Sequence, residues 1–247
     1  MRFLRTAIAL LFFLSPAAAF GKERTITVAA ASDLSYALKE IASGYELDTG
    51  VRPVISFGST GLLARQIAEG APFDVFLSAD LRYMEKLKDL EGVDRDTVEV
   101  YARGRIVVAV KDGADLPSIK DLAGPGVKKI AIANPAHAPY GRAAEEALKS
   151  AGVWEAVREK LVFGENIRQA LQFVESGNAE AGIIALSIAG TPGINYAPIE
   201  ESLHSPISQA LGVVSSSTKK GEAARFIAYL KGPNGSAILK KYGFVLP

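Results

Sequence analysis

Residues 26–38, ITVAAASDLSYAL, constrain the chain more than any other stretch. Six β-prone or small residues, 26–31, run into Ser32 and Asp33, and a helical pattern begins at Leu34. The first turn of a helix carries backbone N–H groups without intrahelical partners, and the helix dipole adds about half a positive charge there. A strand that ends in small residues and a hydroxyl just ahead of a helix is therefore suited to an anion. Ser32 is a natural N-cap, and its hydroxyl can also donate to a bound oxygen. Taken alone, the junction reads as a serine capping its own helix. The chain repeats the arrangement, however: residues 54–57 (VISF) read as a strand, Gly58-Ser59-Thr60-Gly61 as a small hydroxyl turn, and 62–69 as a helix. Neighbouring strand-to-helix turns of a parallel sheet open at one edge, where ligands of open α/β sheets bind.

The alternation continues. Residues 74–77 read as a third strand and 81–90 as a helix. A second α/β unit follows: strands at 105–110 (RIVVAV), 129–133, 162–163 and 181–185, with helices at 118–122, 142–151, 154–161 and 166–176. Thr191-Pro192-Gly193 marks a break, then 208–214 reads as a strand and 221–230 and 234–242 as closing helices. Strand–helix alternation implies parallel-rich sheets with right-handed crossovers. The expected architecture is α/β with two lobes, each a parallel-rich sheet flanked by helices, around a ligand cleft. Lobe 1 is expected over 20–103 and 193–247, and lobe 2 over 104–192.

Residues 1–19 read as a secretory leader: Arg2 and Arg5, an apolar middle at 7–14, then Ser15-Pro16 and the small residues 17–19. The apolar run is shorter than the roughly 20 residues of a membrane span. The mature chain is expected to be soluble in the periplasm, without a lipid anchor, since there is no cysteine to carry one. The formal charge is +1, or 1 − 2 = −1 without the two leader arginines, so no basic field favours nucleic acid or an anionic membrane. An anion site here must rely on local dipoles. The absence of cysteine and the presence of only two histidines, His137 and His204, exclude a His/Cys zinc site and a cysteine nucleophile.

Ser59 and Thr60 sit between two glycines, which let backbone approach a ligand closely; the alternative is an ordinary capped turn. Tyr140, in Pro139-Tyr140-Gly141, opens a helix of the second lobe, and both its N–H and its hydroxyl can face the cleft. Ile167 begins another helix; only its N–H could serve an anion. Arg65 and Arg168 are helix-surface arginines of the kind usually solvated or paired, and are placed outside direct contact. Asp33, Asp74 and Asp80 are the candidate catalytic carboxylates, but no Ser/His/Asp arrangement is convincing. GSTG lacks the spacing and the lysine of a P-loop.

At these residues the chain resembles the periplasmic molybdate-binding proteins of bacterial ABC transporters. The stretches that carry the likeness are AAASDL (29–34), FGSTGLLARQIAEGAPFDVFLSAD (57–80), NPAHAPYG (134–141), ENIRQAL (165–171) and YLKGPNGSAILKKYGF (229–244). The resemblance implies a type II periplasmic binding protein fold and an oxyanion held by hydroxyls and backbone N–H groups. By matched position, Ser32 and Thr60 would be hydroxyl ligands, with Ser59 adjacent, and Tyr140 and Ile167 the backbone donors of the second lobe. Ser32, Thr60 and Ile167 would meet the metal only through molybdate oxygens, never as direct ligands. Some members place a tyrosine hydroxyl on the anion where this chain has Ala185, a gap that Tyr140 could fill. The implied function is a non-enzymatic, monomeric receptor without a cofactor, which delivers molybdate, and tungstate with it, to a membrane permease. The rival readings are a receptor for another tetrahedral oxyanion, sulfate or phosphate, and an extracytoplasmic hydrolase using Asp33 or Ser32.

Overall fold

The computed structural model describes residues 24–247; the leader expected at 1–19 lies outside them. The chain opens with strand β1 (Arg24–Ala31), a 3-10 turn (Ser32–Leu34) and helix α1 (Ala37–Thr49). Then come β2 (Val51–Gly58), α2 (Thr60–Ala68), β3 (Val75–Ser78), α3 (Leu81–Asp89) and β4 (Glu99–Gly104). The middle of the chain holds β5 (Ile106–Lys111), β6 (Ile130–Ala133), α4 (Pro139–Ser150), α5 (Trp154–Val157), β7 (Leu161–Gly164), α6 (Ile167–Glu175), β8 (Ala181–Ala185), α7 (Leu186–Ala189) and β9 (Ile194–Pro198). It closes with β10 (Ile207–Val213), α8 (Lys220–Lys231) and α9 (Pro233–Lys241).

These strands form two five-stranded sheets of the same plan, ordered β2-β1-β3-β10-β4 and β7-β6-β8-β5-β9. In each, three strands run parallel and a fourth, β10 or β5, is inserted antiparallel to both its neighbours. The sheets are therefore mixed, with a parallel half that carries the strand-to-helix turns. Register sets the site. Ala31 faces Gly58 across β1 and β2, so the turns after them lie side by side. Ala133 faces Gly164 across β6 and β7, which aligns the turns ahead of α4 and α6 in the same way.

Strand β1 is buried on both faces: Ile26, Val28 and Ala30 pack with α1, α8 and α9, and Ala29 packs with α2 and α3. Such double burial explains its near-continuous apolar run. A separate core fills the second lobe, and Ala31 of β1, Ala79 just after β3 and Ile207 of β10 join it, which brings the two lobes into contact.

Three expectations are corrected. The return between sheets falls between Pro198 and Ile207, not at Gly193, because β9 pairs with β5 in the second sheet. Strands β4 and β9 were not anticipated; each lies at a sheet edge. The helix expected from Leu34 begins at Ala37, after the 3-10 turn. Among the described residues no helix is long and apolar enough to cross a membrane.

Candidate functional site

Ser32, Ser59, Thr60, Tyr140 and Ile167 line one cavity between the lobes. Its empty volume is about 200 Å³. Pockets for organic ligands run to roughly 300–1,000 Å³; this one has room for a single small guest. No lysine, arginine or histidine lines it, and Asp33 is its one charged residue.

The donors come from helix starts. Asn166 caps α6: its Oδ1 accepts from Arg168 N at 3.0 Å and Gln169 N at 3.1 Å. Ile167, the first residue of that helix, keeps an N–H that no protein group among the described residues accepts. Tyr140 follows Pro139 in the first turn of α4, and its N–H is likewise unclaimed. In α2, Gly61 N donates to the carbonyl of His137 at 2.9 Å, while Thr60 N–H, at the first position, does not. Thr60 Oγ1 accepts from Ala79 N at 3.1 Å, which fixes the side chain and leaves its hydroxyl proton to donate.

The other hydroxyls are more committed than the sequence implied. Ser32 caps no helix; its Oγ donates to Gly58 O at 3.1 Å and ties the two turns together. Ser59 Oγ donates to His137 O at 2.7 Å in the opposite lobe, and His137 Nδ1 lies 2.8 Å from Ser59 Oγ. The hydroxyl of Tyr140 is engaged by the protein rather than left free to stand in for a tyrosine at position 185. It donates to Asp33 Oδ2 at 2.9 Å. Ala185 is buried and does not line the cavity.

Asp33 thus lies at the centre of a buried network that joins the lobes. Gln209 Nε2, on β10, donates to Asp33 Oδ2 at 2.7 Å and to Tyr140 Oη at 3.1 Å. Ser187 Oγ donates to the carbonyl of Asp33 at 2.8 Å. Asp33 Oδ1 is buried without a hydrogen bond of good geometry. Burial pushes its carboxyl from 3.8 up to about 6, against the donors Tyr140 and Gln209 and the nearby N–H groups of Asp33 and Leu34, which hold it down. Burial and the Asp33 charge push the hydroxyl of Tyr140 well above its ordinary value, so it is a neutral donor. Neither Gln209 nor the role of His137 was read from the sequence. Gln209 sits 176 positions from Asp33, and no local pattern links them.

The remaining candidates are structural. Asp74 accepts from Thr27 N at 2.7 Å and from Ser217 Oγ at 2.7 Å. Asp80 caps α3 through Arg82 N and pairs across the lobes with Arg142. Arg168 pairs with Glu175 at 3.0 Å, and Arg65 lies on the surface 3.8 Å from Glu69. Neither arginine lines the cavity. Ser59 beside His137 has the outline of a nucleophile–base pair, but the proton of Ser59 goes to a carbonyl, and no carboxylate holds the His137 ring among the described residues. Among those residues no group of three or more His, Asp or Glu could hold a metal ion.

Residues 26–245 match the family described as bacterial extracellular solute-binding proteins. The chain is 38% identical over 229 residues to the molybdate-binding protein ModA of Azotobacter vinelandii, covering 90% of each. It is 35% identical over 238 residues to ModA of Escherichia coli, covering 92% of this chain and 91% of that protein. A solved structure of the Azotobacter vinelandii periplasmic molybdate-binding protein superposes with a TM-score of 0.85 at 34% identity, over 90% of this chain and 99% of that one. The fold is shared more widely: the sulfate-binding protein SubI of Mycobacterium tuberculosis superposes with a TM-score of 0.77 at 18% identity, over 90% of this chain and 86% of its own. By the span of the family match and the closeness of these relatives, the chain belongs to the bacterial extracellular solute-binding protein family.

Proposed function

We propose that the protein captures molybdate, and tungstate with it, in the periplasm and delivers it to the membrane permease of an ABC transporter. It acts as a monomeric receptor, without a cofactor and without catalysis. One observation carries this reading: unclaimed N–H groups of Thr60, Tyr140 and Ile167, with the Thr60 hydroxyl, meet at a cavity for one small guest that no cation lines. Neutral donors suit a fully deprotonated dianion, which offers acceptors on every oxygen and needs none in return. Hydrogen bonds to charged oxygens are shorter and stronger than neutral ones, roughly 1.5–3 kcal/mol each. Three helix starts add their dipoles at the same point. Relatives of the same length that are named molybdate-binding support the choice of guest. The lobes would close on the ion by hinge motion about the two crossings.

Titration calorimetry with molybdate, tungstate, sulfate and phosphate tests the reading. Tight, one-to-one binding of molybdate and tungstate with weak responses to the other two is the expected result. Tight phosphate or sulfate binding without a molybdate response would replace it with the rival oxyanion reading.

A further inference from the structure

Asp33 is a buried carboxylate in the wall of a cavity that otherwise offers only neutral donors. Two of its neighbours, Tyr140 and Gln209, satisfy Oδ2 alone. The other oxygen, Oδ1, has no hydrogen bond of good geometry and no water-exposed surface. The titratable groups that face it are Tyr140 from α4 and Tyr101 from β4, both raised well above their ordinary values and therefore neutral. The element beneath, β10, contributes only the neutral Gln209, and α7 contributes Ser187. No lysine, arginine or histidine meets the carboxylate among the described residues. A dianion placed in this cavity would stand beside an ionised carboxylate with nothing to neutralise either. Like charges sharing a buried site cannot both persist, and the group that can take up a proton does so.

On the oxyanion reading given above, we infer that the protein binds its dianion together with a proton, which solvent hydronium transfers to Asp33 Oδ1 as the ion enters. One O–H bond forms at Oδ1, one water is released from the hydronium, and the Asp33 charge goes from −1 to 0. The bonds that Oδ2 accepts from Tyr140 and Gln209 survive, because a protonated carboxyl still accepts there. The site thus has a second ligand, the proton, and Asp33 acts as a positioning residue that links the ion to the lobe-joining network. Burial already moves the carboxyl of Asp33 up to about 6, and a neighbouring dianion moves it further in the same direction.

The test is calorimetry of molybdate binding to the full mature chain near neutral pH in buffers of different ionisation enthalpy. Wild-type protein should take up most of one proton, read from the slope of heat against buffer ionisation enthalpy. Its Kd should tighten, approaching tenfold per pH unit, as pH falls from about 8 towards about 6, and then level off. Asp33→Asn should bind with no buffer-dependent heat and a flat profile, while His137→Gln, at the histidine that meets the cavity-lining Ser59, should keep the wild-type slope. A wild-type slope of zero overturns the inference without any variant. So does a slope that persists in a folded Asp33→Asn protein, or that disappears in His137→Gln. No molybdate heat at any pH would instead overturn the oxyanion reading itself, and the inference with it.

Discussion

Tyr140 Oη donates to Asp33 Oδ2 at 2.9 Å, joining helix α4 of one lobe to the turn after β1 of the other. Both residues line the candidate cavity, yet the hydroxyl that the sequence offered to the ligand is spent on the protein. The tyrosine therefore keeps its backbone N–H free and holds the lobes with its side chain. Tyr140→Phe should remove a buried bond to a charged group, costing roughly 1–3 kcal/mol in stability. It should retain one-to-one molybdate binding, because the N–H stays. Denaturant midpoints and calorimetry read the two effects apart. Lost binding with an unchanged midpoint would place the hydroxyl on the ion after all.

Asp33 is expected to make the protein less stable at neutral pH than in mild acid. Its folded value, about 6, lies above its ordinary 3.8. Between those two pH values the folded state holds the proton more tightly than the unfolded chain, so stability falls as pH rises through the window. A gap of about two units corresponds to about 3 kcal/mol. Asp33→Asn should therefore melt higher than wild type at pH 7, and the two should converge towards pH 4. A variant that melts lower at neutral pH would contradict this.

Thr60 is the hydroxyl best placed to donate, since its oxygen already accepts from Ala79 N. Thr60→Val keeps the shape and removes the donor. The expected loss is roughly 10- to 100-fold in molybdate affinity, the equivalent of about 1.5–3 kcal/mol. Ser32→Ala should cost less, because the Ser32 proton already serves the carbonyl of Gly58. Affinities in the reverse order would exchange the roles of the two hydroxyls.

Gly104 ends β4 directly beneath the same network. A Cβ there would overlap Tyr140 Oη and sit 3.1 Å from Gln209 Nε2. Gly104→Ala should destabilise by roughly 1–3 kcal/mol. The cost should shrink in a Tyr140→Phe background, where the overlapping oxygen is gone, and a double-mutant cycle measures the difference.

The grouping of Ser32, Ser59, Thr60, Tyr140 and Ile167 at one cavity was legible in the sequence because its signal is local. Ser32, Thr60 and Ile167 each follow a strand and open or precede a helical turn, and parallel pairing of β1 with β2 and of β6 with β7 then brings such turns together. What was not legible is what depends on distant partners. Gln209 reaches Asp33 only because β10 inserts antiparallel beside β3, and a lone glutamine in an apolar strand announces nothing. The inward turn of Asp33 rests on the 3-10 segment Ser32–Leu34, which short polar residues allow but do not announce. Strands β4 and β9 escaped notice for a different reason. Both are edge strands, the outer side of β4 being bridged only at Arg103 by Val245, so polar residues such as Glu99, Arg103 and Asn195 are tolerated and the apolar alternation is weak. Pro198, at the end of β9, reads as a breaker but is permitted at an edge.

The central claim is that uncharged donors from both lobes converge on a single tetrahedral dianion. Diffraction from crystals grown with molybdate, recorded at the molybdenum absorption edge, tests it most directly. The expected result is one anomalous peak in the cavity, with oxygens within hydrogen-bonding distance of Thr60 Oγ1 and the N–H groups of Tyr140 and Ile167. A peak elsewhere on the protein, or none at saturating molybdate, would contradict it.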